Sequence, residues 1–138
     1  MKKTILISFT LFLMIPAFAQ KITFLDEAAF KAKVWDYSKN KEWKFEGKTP
    51  VIVDFYADWC GPCRMVSPIL EELQQEYGTK IKIYKVDVDK EGQIAQQFGI
   101  RSIPTLIFAP VGGDFSKIIG LRSKEDLKKE IQSKLKVN

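Results

Sequence analysis

The chain has 138 residues, 46% of them hydrophobic, with 22 lysines and arginines, 17 acidic residues, two cysteines and no histidine. The lack of histidine excludes Cys–His and Ser–His–Asp nucleophile systems and histidine metal sites. Any proton transfer must use a carboxylate, lysine, cysteine, tyrosine or water. The net charge of +5 is spread along the chain, which argues against the concentrated basic face that nucleic-acid binding requires.

Lys2 and Lys3 precede an apolar run, Thr4 to Ile15, broken only by Ser8 and Thr10, and Ala17-Phe18-Ala19 follows. A positive start, an apolar stretch and an A-x-A site make the three-part layout of a secretory signal peptide. Residues 1–19 are therefore predicted to be a leader and 20–138 an exported domain. A retained membrane anchor is the competing reading, but a spanning helix needs about 20 apolar residues and Pro16 cuts this run short. The leader holds two basic residues and no acid, so the remainder has 20 basic residues against 17 acidic ones, a mild +3. Its size suits one domain with a core that needs no disulfide staple.

Ile22–Leu25 reads as a short strand. Asp26 caps a helix from Glu27 to about Ser38, with Phe30, Val34 and Tyr37 on one face. Asn40 to Pro50 is a polar loop in which Trp43 and Phe45 alternate with charges, as in a short extended edge. Val51–Tyr56, V-I-V-D-F-Y, is a buried strand. A helix then runs to about Tyr77 with Val66, Ile69, Leu70 and Leu73 at helical spacing, and Pro68 is expected to kink it. Ile81–Val88 is another strand. Asp89 caps a short helix through Phe98 that Gly99 ends. Thr105–Ala109 and Phe115–Ile119 flank the turn Val111-Gly112-Gly113-Asp114 as a hairpin. Ser123 opens the last helix, with Leu127, Ile131 and Leu135 on one face. The Lys-rich stretch Lys124 to Lys136 also holds Glu125, Asp126 and Glu130, so it reads as a solvated face. The order βαβαβαββα implies an α/β fold, a mixed sheet covered on both faces.

Cys60-Gly61-Pro62-Cys63 lies where a strand gives way to a helix. The first turn of a helix offers free N–H groups and the positive end of the dipole. A thiolate there is stabilised, and the thiolate is the nucleophile. Two intervening residues bring the second sulfur within reach, and Pro62 fits a first turn because its missing N–H has no partner there. A passive bridge is the competing reading, yet a loop this short stabilises by only about 2 kcal/mol. A structural zinc site needs four ligands, which two cysteines and no histidine do not supply without carboxylates or a second chain. Redox chemistry is the reading the residues favour.

W-C-G-P-C, preceded by V-D-F-Y-A-D and followed by R-M-V-S-P, resembles the thioredoxin family. Further signatures fall in that family's order: Lys85-Val86-Asp87 closing a strand, Ser102-Ile103-Pro104-Thr105, and Gly120 after the last strand. The likeness spans about Ile22 to Leu135. It implies a thioredoxin fold, a central mixed sheet of about five strands flanked by four helices, and a monomeric protein-disulfide oxidoreductase. By position in the motif, it implies that Cys60 attacks and the deeper Cys63 resolves. The family's buried acid falls on Asp54. Burial of a carboxylate is costly and raises its pKa, which suits a proton acceptor for Cys63; a structural pair with Lys85 is a compatible alternative. Pro104 matches the family's cis proline beside the disulfide, with an ordinary trans proline as the alternative. Trp59, Gly61, Pro62, Ile103 and Gly120 match its apolar substrate-binding patch.

There are departures. Tyr56 stands where many members have tryptophan, Ser38 to Thr49 is longer and more charged than in compact members, Val111-Gly112-Gly113 replaces the usual hairpin turn, and a leader precedes the domain. No cofactor or metal is expected, because the dithiol is itself the redox centre. The expected role is reduction of disulfides in exported proteins, in a bacterial periplasm, with electrons from a membrane thiol-transfer protein. The alternatives are an oxidant or isomerase in oxidative folding and a redox-idle binding subunit.

Overall fold

The computed structural model describes residues 20–138; the leader expected at 1–19 lies outside the described residues. A five-stranded sheet in the order β1-β3-β2-β4-β5 organises the chain. The strands are β1 (Thr23–Phe24), β2 (Val51–Tyr56), β3 (Lys82–Asp87), β4 (Thr105–Ala109) and β5 (Ser116–Ile119). β1, β3 and β2 pair in parallel, while β4 and β5 are antiparallel. The helices are α1 (Glu27–Lys33), α2 (Gly61–Tyr77), α3 (Gly92–Gln97) and α4 (Lys124–Glu130), the last continued by a π-helical turn over Ile131–Leu135. This is the mixed sheet with four helices that the sequence predicts.

β2 is the central strand, and Val51 to Phe55 are all buried, as expected of a strand covered on both faces. One side packs Phe30, Phe55, Ile94, Phe98 and Ile107 under α1 and α3. The other packs Ile52, Leu70, Leu73, Ile83, Phe108 and Leu127 under α2 and α4. Gln74, buried on α2, ties that helix to the sheet. Its Oε1 accepts from Ile83 N at 2.6 Å, and its Nε2 donates to the carbonyls of Gly78 and Ile81 at 3.0 and 3.1 Å. A glutamine in a helical pattern gives no sequence sign of this role.

Three expectations need correction. The first helix stops at Lys33 rather than near Ser38. Beyond it Asp36 diverts the chain: its carboxylate accepts from Ser38 N at 3.2 Å and its carbonyl from Asn40 N at 2.9 Å. Local bonds of this kind compete with a helix. The Ser38 hydroxyl, and then Lys39, hold the Asp36 carboxyl down at about 2. Tyr37 is nevertheless buried with Phe30 and Val34. Second, Asp89 does not cap α3, whose N-cap is Glu91; its carboxylate is engaged elsewhere, as described below. Third, Trp43 and Phe45 form no extended edge. Trp43 instead docks among Trp35, Phe98 and Phe115, with ring centroids 5.0 to 5.7 Å apart, and donates from Nε1 to Gly113 O at 3.1 Å. Aromatic pairs add about 0.5–1.5 kcal/mol each beyond burial, enough to hold a charged loop onto the core. Shorter differences occur at strand ends, where β1, β3 and β5 lose a terminal residue or two. α2 runs on through Pro68 to Tyr77.

Candidate active site

The parallel β2–β3 pair and the strand-to-helix turn after β2 build the site. β2 ends at Tyr56; Ala57 O accepts from Cys60 N at 3.1 Å, closing a turn that delivers Cys60 to the N-cap of α2. Cys60 Sγ accepts from Cys63 N at 3.2 Å, so the sulfur sits where a serine or aspartate oxygen caps other helices. Gly61 and Pro62 occupy the first helical turn. Cys60 and Cys63 are joined as a disulfide with Cα atoms 5.3 Å apart. Both are nearly covered, at 4% and 2% exposure, and pack against Ala57 and Ile103.

The Ile103–Pro104 peptide is cis. Pro104 is buried and its carbonyl accepts from Gly120 N at 2.8 Å; Gly120 has φ 86°, a left-handed conformation that favours glycine. This bond ties the residue after β5 to the loop before β4, whose Ile103 packs against the cysteines. Trp59 is 68% exposed, and its indole Nε1 donates to Asp89 Oδ2 at 2.8 Å. Asp89 is thus a site residue, although its position in the sequence suggests a helix cap. Of the residues expected in the apolar patch, Ile103 packs against the cysteines, Trp59 and Pro62 flank them along the chain, and Gly61 is open: a Cβ there meets nothing within 4 Å.

Asp54 and Lys85 are register partners in the β2–β3 ladder, and Lys85 lines a groove together with Cys63. Lys85 Nζ lies 3.1 Å from Asp54 Oδ2, a buried ion pair, and no other described residue donates to the Asp54 oxygens. Lys85 also donates to Ser67 Oγ at 2.7 Å, and its ammonium sits 4.5 Å over the Tyr56 ring. Burial raises the Asp54 carboxyl above its ordinary value, and Lys85 offsets part of that rise. A groove of about 240 Å³, lined by Tyr56, Asp58, Cys63, Arg64, Ser67 and Lys85 among others, opens this region to solvent.

A carboxyl with a raised folded-state pKa makes the folded state bind an extra proton. The stability this contributes is complete below the unfolded value of about 3.9 and is lost as pH rises through the folded value. Asp54→Asn removes that loss. Asp54 is 0% exposed and its burial outweighs both the charge and the hydrogen bond of Lys85, whereas Lys85 without it keeps Ser67 and the groove, so the cost of burying Asp54 exceeds the lost attraction. Asp54→Asn is expected to be more stable than the parent by about 1–2 kcal/mol at neutral pH, with the gain shrinking toward pH 4. Urea unfolding of the oxidised proteins across pH checks it; a less stable variant at neutral pH, or a difference independent of pH, contradicts it.

Comparison with known proteins gives one answer. The family model described as Thioredoxin matches residues 22–133. Thioredoxin of Borreliella burgdorferi is 48% identical over 101 residues, covering 73% of this chain and 86% of that protein. Thioredoxin 1 of Nostoc is 43% identical over 104 residues, covering 75% and 96%, and thioredoxin of Listeria monocytogenes is 52% identical over 77 residues, covering 56% and 75%.

Proposed function

The chain belongs to the thioredoxin family and is a thiol–disulfide oxidoreductase; from there we propose that it reduces disulfides of exported proteins, with Cys60 attacking and Cys63 resolving. The observation that carries this is the cysteine pair at the head of α2, with Cys60 Sγ in the N-cap position. In the dithiol form the helix N-terminus stabilises a Cys60 thiolate. That thiolate attacks one sulfur of a substrate disulfide, and the other substrate sulfur leaves with the electron pair. Asp54 then accepts the Cys63 proton. The Cys63 sulfur attacks Cys60 Sγ, the bond between Cys60 and the substrate breaks, and the reduced substrate departs from an oxidised enzyme. Trp59, Gly61, Pro62, Ile103 and Gly120 hold the substrate chain against the disulfide.

The exported setting rests on the leader pattern of Lys2, Lys3, Thr4 to Ile15 and Ala17-Phe18-Ala19, which precedes the segment matched by the family model. A bacterial periplasm fits a short leader followed directly by the domain. A cytosolic reductase could not reach the dithiol there, so a membrane thiol-transfer protein is the electron donor. The first residue of the mature protein, read by N-terminal sequencing of native protein from the periplasmic fraction, is expected to be close to Gln20. Native protein that retains Met1 to Ala19, or that resides in the cytoplasm, contradicts export.

A further inference from the structure

The turn between β5 and α4 carries an arginine, Arg122, that the exchange step described above does not use. Its backbone is held on both sides. Gly120 N donates to Pro104 O at 2.8 Å, and Ser123 is the N-cap of α4, accepting from Asp126 N at 3.1 Å. The guanidinium folds back over the glycine: Arg122 Nη1 stands 3.7 Å from the position a Cβ on Gly120 would take. A run of bonds and contacts therefore leads from this cation to the redox pair. It passes through Gly120 and Pro104 to Ile103, which packs against Cys60 and Cys63.

Arg122 is exposed, and no ion pair among the described residues includes it. Its hydrogen bond goes to the adjacent Leu121 O, at 3.0 Å. A guanidinium has five N–H donors, so most of its capacity is left for a ligand. The nearest acids along the chain, Glu125 and Asp126, are engaged with Lys129 and Ser123. Ile119 and Leu121, on either side of Gly120, are 54% and 36% exposed. Arg101, two positions before Ile103, is also exposed and has the same sign. An apolar lip under an unpaired guanidinium suits a chain with a carboxylate beside apolar residues, because the planar fork of arginine matches a carboxylate.

We propose that Arg122 is a specificity-determining residue, which selects disulfide substrates carrying an aspartate or glutamate next to the cysteine that Cys60 attacks. The inference rests on the reductase reading and on Gly120 bordering the substrate chain. Three peptide dimers test it with the mature protein. Each is joined by one disulfide between self-quenching fluorophores and has Glu, Gln or Lys on both sides of the cysteine. Rate constants for reduction by the dithiol protein are divided by those for 2-mercaptoethanol, which removes the peptides' own differences in reactivity. At low ionic strength the parent should reduce the Glu dimer about fourfold faster than the Gln dimer, the scale of one exposed ion pair. The Lys dimer should be slower than either. The Glu advantage should fall toward one in about 0.5 M salt, where exposed charges are screened within a few ångströms.

Arg122→Gln should bring the ratio of Glu to Gln rates below about twofold, and Arg122→Glu should invert it. Both substitutions keep the backbone bonds of Gly120 and Ser123, so the turn is retained. Lys48→Glu makes the same change in net charge in the loop before β2, at the end of that strand away from the cysteines, and should keep the parent's ratio. A parent ratio near one, a ratio unchanged in Arg122→Glu, or an equal inversion by Lys48→Glu overturns the role of Arg122. The Gln dimer separates the two levels. If the parent reduces it no faster than Cys60→Ser does, the reductase reading falls and the inference with it. If the parent reduces it and the charge series is flat, only the role of Arg122 falls.

Discussion

Cys63→Ser is expected to abolish turnover of a protein disulfide while capturing substrates as mixed disulfides on Cys60. The backbone explains why attack survives. The bond that stabilises sulfur at position 60 comes from the N–H of residue 63, at 3.2 Å, and a serine keeps that N–H. Only the second thiol is lost, so the mixed disulfide forms and cannot be resolved. Cys60→Ser is expected to abolish both turnover and capture. It should still fold, because serine is a favoured N-cap residue and the lost crosslink is worth about 2 kcal/mol at most. Non-reducing gels with alkylation after acid quench read both outcomes. Normal turnover by Cys63→Ser would show that the two sulfurs do not act in sequence.

The second large effect is the reduction potential. Thioredoxins lie near about −270 mV and strongly oxidising periplasmic relatives near about −120 mV; both are values of those proteins and serve as the ends of the scale. A strong oxidant over-stabilises its reduced thiolate, down to a pKa of about 3.5. This chain lacks the means. It has no histidine, Gly61 and Pro62 carry no charge, and Arg64, the nearest cation on α2, spends its guanidinium on Asp58 O at 3.0 Å. The remaining support is the helix N-terminus, which brings a cysteine toward neutrality. The potential is therefore expected near the thioredoxin value. Since 30 mV corresponds to about 1.4 kcal/mol, the two outcomes differ by roughly 7 kcal/mol. Equilibration with glutathione buffers measures it, and a value above about −180 mV, that of disulfide isomerase, would favour an oxidative role instead.

How legible the molecule is in its sequence depends on whether a signal is local. β2 and β4 have the bounds their apolar runs indicate, because a strand buried on both faces must be continuously apolar. Asp54 stands out for the same reason, as a charge within such a run. Helix ends are less legible. The α1 pattern of Phe30, Val34 and Tyr37 holds as a buried set, but Tyr37 reaches the core from a turn, because Asp36 offers the backbone other partners. Asp89 looks like a cap in sequence, and a tryptophan 30 positions away claims it. Gln74 and Ser67 act through contacts 9 and 18 positions away, and no local spacing announces such bonds. Trp43 and Phe45 alternate with charges as in a strand, yet distant aromatic rings decide their place.

Insulin reduction is the most direct test of the central claim, that this is a disulfide reductase working through Cys60 and Cys63. With dithiothreitol as electron source at neutral pH, the mature protein is expected to bring on insulin precipitation well ahead of dithiothreitol alone, and Cys60→Ser to return the time course to that of dithiothreitol. Precipitation no faster than the dithiothreitol control, or acceleration that persists in Cys60→Ser, would contradict it.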